Sequence, residues 1–97
     1  MLVTIDVTDD DLENGKCTSI YECAMALAAK RVIKANVVYV GVRDVFYYNT
    51  NDPFQNVPHN HTKFIVAFDS WKKGEGPRPS PFSFQIDIPK EFVKEKG

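Results

Sequence analysis

Ninety-seven residues suffice for a single core with little surplus for a deep internal site, and a composition 43% hydrophobic and 26% charged excludes a disordered chain. Twelve basic and 13 acidic side chains nearly cancel, leaving a net charge of -1, so a nucleic-acid or anionic-lipid partner would need a local patch. Asp6 and Asp9 to Asp11 interrupt any leader-like start, and no run approaches the ~20 apolar residues that span a bilayer. A soluble, intracellular protein of one domain over residues 1–97 is the expectation, with no membrane partner. Cys17 and Cys23 are too few for a disulfide scaffold and are expected as reduced thiols.

In chain order, residues 2–8 alternate, with Val3, Ile5 and Val7 to one side, and predict a half-buried strand. Thr8 and the acids that follow resemble a helix start, ended by Gly15. The main helix is predicted over residues 19–31. Ser19 and Glu22 have the spacing of a capping box, and four alanines make the helix thin enough for a sheet to pack close. Residues 37–42 and 45–48 predict a hairpin turning at Arg43-Asp44, with Gly41 as the residue able to supply an unusual backbone angle.

Residues 49–56, rich in Asn and Asp, predict a loop long enough to hold a function. Pro58 suits a first helical turn, and Phe64, Ile65, Phe68 and Trp71 recur at helical spacing, with Val57 and His61 extending the stripe and Lys72-Lys73-Gly74 closing it. Residues 75–81 hold three prolines and one glycine and form an extended connector. Phe82, Phe84, Ile86 and Ile88 then share one face of the clearest strand. Residues 90–97 form a charged tail or a short helix. The order β-α-β-β-α-β predicts an α+β fold: a four-stranded, mostly antiparallel sheet with two helices on one face, ferredoxin-like in its simplest form.

At this level the chain resembles small, uncharacterised phage and prophage proteins. The resemblance lies in a short strand and acidic turn (Thr4 to Thr8, Asp11, Leu12, Gly15), a cysteine-led helix (Cys23 to Ala28), and the later pieces Pro58, Phe64 to Asp69 and Pro81 to Phe84. In that pattern proline usually follows the cysteine, where this chain has Ala24. The resemblance implies a viral origin and carries no activity.

Candidate sites follow from residue type. Tyr39, Phe46, Tyr47 and Tyr48 on the hairpin, with Asn51, Asp52 and Phe54 in the following loop, could anchor a protein partner if the sheet has an open face. Residues 45–48 lack the glycine and cation of an RNA-binding strand, which ranks nucleic acid or nucleotide below protein as the partner. In that second reading Lys30, Arg31, Lys34 and Arg43 would form the anion-binding patch.

Asp9, Asp10, Asp11 and Glu13 make an acidic knob that could meet a basic groove, and Arg78 among prolines is a stiff connector or a recognition loop. His59 and His61 lack metal-ligand spacing, with His61 expected on the buried edge and His59 in solvent. Cys17 is the better placed of the two thiols for reactivity, but no base, orienter and pocket are fixed with it. No metal, cofactor or catalysis is expected. The expected function is binding and steric inhibition of a host protein, in the sharpest form a bacterial defence component, within the host cytoplasm. Edge strands leave a homodimer open.

Overall fold

The computed structural model describes residues 1–94. It is α+β and holds strand β1 (Leu2–Val7), helices α1 (Asp9–Asn14) and α2 (Ala24–Lys30), strands β2 (Val37–Val40), β3 (Asp44–Tyr48) and β4 (Gln55–Pro58), helix α3 (Thr62–Lys72), strand β5 (Phe82–Asp87) and a 3-10 turn at Lys90–Phe92. The strands form two antiparallel sheets. β1 pairs with β5, Val3 opposite Ile86 and Ile5 opposite Phe84; β3 lies between β2 and β4, Tyr39 opposite Phe46 and Val45 opposite Val57.

This corrects the expected single four-stranded sheet. A ferredoxin-like sheet sets the first strand beside the third, but here the free edge of β3 is taken by β4, whose residues the sequence divides between the end of a loop (Gln55, Asn56) and the start of a helix (Val57, Pro58). β1 and β5 pair apart from that sheet. Pro58 therefore closes β4 instead of opening a helix.

Each helix end has a local cause. At α1 the Thr8 hydroxyl accepts from the Asp11 N–H (3.3 Å) while the Asp11 carboxylate accepts from the Thr8 N–H (2.9 Å), a reciprocal cap. Gly15 ends α1 where there is no room for a side chain. A Cβ there would stand 2.7 Å from the Ala24 backbone nitrogen and 2.9 Å from the Phe68 ring.

The second helix starts later than the Ser19 box suggests. The Ser19 hydroxyl does accept from the Glu22 N–H (3.0 Å), but Glu22 turns to Lys16 (3.2 Å) instead of reaching back, and Cys23 is the N-cap. The box yields one turn and no more, so Ile20 and Tyr21 stand exposed ahead of the helix. α3 ends as its sequence indicates. Gly74, at φ +77, lets its own N–H reach Trp71 O (2.9 Å) and the Glu75 N–H reach Ser70 O (2.8 Å), a Schellman closure.

α2 contacts both sheets, through β1 and β2. Ala24, Ala26, Ala28 and Ala29 are fully buried, the expected mark of a helix enclosed on several sides. Around it lie Ile5, Val7, Val38, Val40, Val45, Tyr47, Phe68, Phe84, Ile86 and Ile88 in one cluster. The chain end joins this core: Phe92 is buried, and Val93 bridges Ile33. The remainder of the predicted tail, residues 95–97, lies outside the described residues.

The 75–81 connector is strapped down by Arg78. Its guanidinium meets Asp9 (3.0 Å) and Glu13 (3.2 Å) and lies over the Trp71 ring. Arg78 is thus engaged within the chain, as are three of the four acids of the predicted knob, Asp9 and Glu13 on Arg78 and buried Asp11 on Arg31.

Candidate functional site

Strand alternation divides the hairpin residues between two faces. On β2, Val38 and Val40 are buried and Val37 and Tyr39 half-buried; on β3, Val45 and Tyr47 are buried and Asp44, Phe46 and Tyr48 half-buried. The outer face carries an aromatic strip. Tyr39 and Phe46, directly paired across the strands, stack with ring centroids 4.7 Å apart and planes 11° apart. Tyr21 joins Tyr39 from the turn before α2 (5.3 Å), and Phe54 joins Phe46 from the loop before β4 (5.9 Å).

Gly41 admits the Phe46 ring, since a Cβ there would lie 3.2 Å from it. Its φ is not positive, so close approach and not an unusual backbone angle is its role; among the described residues the left-handed ones are Thr18, Asn51 and Gly74. Ile20, Tyr21, Val42 and Phe54 are exposed, Phe54 at 61%, so the strip belongs to a sizeable apolar surface.

Of the residues expected to bind a partner, the structure brings Tyr39, Phe46 and Phe54 together, with Tyr48 on the same sheet face and Asn51 and Asp52 exposed in the adjoining turn. Tyr47 is a correction. It is 3% exposed, its ring is edge-on to Phe92 (4.9 Å), and burial, then Glu91 and Asp87, push its hydroxyl above the ordinary tyrosine range. Tyr47 is a core residue because it shares the inner parity of β3 with Val45. Tyr21 and Ile20 were missed, having been assigned to a helix that does not reach them.

The four cations of the anion-binding reading do not converge. The Lys30 ammonium donates to Tyr21 O, and Arg31 forms a two-point ion pair with Asp11. Exposed Lys34 has its backbone N–H on Phe92 O, while Arg43 lines an open cleft with His59 and Lys63. Ring geometry also weighs against base stacking: Tyr39 and Phe46 use a face of each ring on the other, which reduces the area left for a nucleobase.

His59 is a correction, since it was expected in solvent, while His61 lies at a half-buried edge as expected. His59 is the buried one, its Nε2 2.9 Å from Gly41 O and its Nδ1 accepting from the His61 N–H (3.1 Å). His61 is half-buried against Phe82 and Phe84, and burial, then His59, hold it below the ordinary histidine value. Among the described residues no three His, Cys, Asp or Glu side chains are grouped as metal ligands. Cys23, not Cys17, occupies the helix start, where burial pushes its thiol up in spite of the Ala26 and Met25 N–H groups. Among the described residues no helix is long and apolar enough to cross a membrane. A scan against protein-family models matched none, and searches of curated proteins and of solved structures returned no significant match.

Proposed function

We propose that this is a binding protein that acts by occupying a protein partner with the outer face of its three-stranded sheet, sterically and without catalysis. The observation that carries the reading is the Tyr21-Tyr39-Phe46-Phe54 strip, an aromatic surface with exposed Ile20 and Val42 nearby. Rigid aromatics of this kind are favoured anchors in protein interfaces. The resemblance to phage proteins makes the proposed partner a bacterial host protein, a defence component in its sharpest form, met in the host cytoplasm.

The test compares the tagged wild-type protein with a Tyr21→Ser/Phe54→Ser double variant, both drawn from a bacterial host lysate and measured by native mass spectrometry. A host protein held at fixed stoichiometry by the wild type and lost by the variant supports the reading. Retention by the variant, or oligonucleotide in place of protein, overturns it.

A further inference from the structure

Beside the strip a cleft of about 250 Å³ opens among the turn before α2, the end of β2 and α3. Ile20, Cys23, Val40, Val42 and Ile65 give it mainly apolar walls, and Thr18, Ser19 and Asp69 its polar part. Its size falls below the ~300–1,000 Å³ of typical small-molecule sites and suits one extended side chain.

The polar part is built around a carboxylate. Asp69 Oδ1 accepts from the Thr18 N–H at 3.0 Å. Among the described residues no cation lies within ion-pair distance of Asp69. Two nearby cations are held elsewhere, since Lys72 donates to Glu13 O with its ammonium over the Trp71 ring and Lys16 pairs with Glu22; Lys73, one turn beyond Asp69, makes no ion pair with it. A carboxylate has room for about four hydrogen bonds, so one from Thr18 leaves acceptor capacity at the edge of an apolar cleft.

We infer that this cleft is a socket for a basic side chain, lysine or arginine, presented by a protein partner. The methylene stem lies along Ile20, Val40, Val42 and Ile65, and the cation reaches Asp69. A purely apolar side chain would fill the walls and leave the carboxylate without a counter-charge; an acidic one would be repelled by it. The cleft adjoins the strip, since Ile20 precedes Tyr21 and Val42 closely follows Tyr39 in the chain. The source of the side chain rests on the protein-binding reading above; the chemistry of the socket does not.

The test uses n-butylguanidinium and its neutral isostere n-butylurea, titrated into wild-type protein while the side-chain methyl signals are followed by NMR. Butylguanidinium is expected to shift Ile20, Val40, Val42 and Ile65 and to bind at least about tenfold tighter than butylurea, as a hydrogen bond to a charged group implies. Asp69→Asn keeps an oxygen for the Thr18 N–H and should bring the two probes to equal affinity. Equal affinity in the wild type, shifts near Asp9 and Asp10 instead of the cleft, or an unaltered preference in Asp69→Asn would overturn the inference. These outcomes are independent of partner capture: a strip that holds no protein leaves the probe result standing, and a failed socket leaves the strip's partner in place.

Discussion

Arg31, at the C-terminal end of α2, closes on Asp11 in α1 with both terminal nitrogens, Nη1 to Oδ1 and Nη2 to Oδ2 (2.6 Å), while Nη2 also meets Asp6 O (2.8 Å). One side chain thus ties two helices to β1. Asp11 is 3% exposed; burial alone would raise its carboxyl, but the hydrogen bonds from Arg31 and Thr8 and the Arg31 charge outweigh burial and hold it below its ordinary value of 3.8.

Arg31→Ala should therefore destabilise the protein by about 2 kcal/mol, since it leaves a buried acceptor short of its partner. Urea denaturation at pH 7 reads this as a lower midpoint at unchanged slope. The folded carboxyl titrates below the unfolded one, so its contribution is full above pH 3.8 and drains as pH falls through the folded value. The gap between wild type and Arg31→Ala should accordingly narrow below that point; a gap constant down to pH 2 would count against the ion pair as its source.

His61 gives a second pH window, nearer neutrality. Burial, then His59, lowers its value from 6.5, so the unfolded chain takes up a proton that the folded chain resists. Stability from this group is full above pH 6.5 and is lost as pH falls toward the folded value. His61→Leu keeps apolar contact with Phe82 and Phe84 and should flatten the fall in melting temperature between pH 7.5 and 5. An unaltered slope in that variant would assign the acid sensitivity elsewhere.

Much of the fold is legible wherever the cause is local. Val3, Ile5 and Val7 and the Phe82-to-Ile88 alternation read as strands because one face of each is buried. Thr8 with Asp11 and Lys73-Gly74 read as helix ends because the caps lie within a few residues. β4 was illegible: Gln55-Asn56-Val57-Pro58 has little strand preference and pairs only because β3 offers an edge.

The candidate site was legible in its residue types but not in its parity. Val37 and Tyr39 are as apolar as Val38 and Val40, and Phe46 and Tyr48 as apolar as Val45 and Tyr47. No local pattern says which set faces outward; packing of α2 against β2, and of Phe92 against Tyr47, decides it.

That parity sets a third prediction. Tyr47→Ala empties a core position and should cost about 3–5 kcal/mol, in the range of large aromatic truncations. Phe54→Ser, at an exposed position, should stay within about 0.5 kcal/mol. Loss of partner binding in a Tyr47 variant would then report a weakened fold, whereas loss in Phe54→Ser would report the surface. Chemical denaturation of both settles the assignment before any binding is measured, and equal stabilities would refute it.

The last prediction concerns the junction where α1 ends, α2 begins and α3 passes. Gly15 sits there with no room for a side chain: an added Cβ would lie 2.7 Å from the Ala24 nitrogen and 2.8 Å from Asp11 O, both backbone atoms with no rotamer to yield. Gly76, in the connector, would place its Cβ at an ordinary 3.4 Å from Ser70. Neither residue has a positive φ, so the two substitutions differ in space alone. Gly15→Ala should cost about 2 kcal/mol, the scale of overpacking, with a melting temperature lower by roughly 8–16 °C in a domain of this size. Gly76→Ala should be neutral or stabilising by a few tenths of a kcal/mol, through the reduced freedom of the unfolded chain. Differential scanning calorimetry of the pair makes the comparison, and a Gly15→Ala protein as stable as Gly76→Ala would mean that the helices approach less closely than this junction requires.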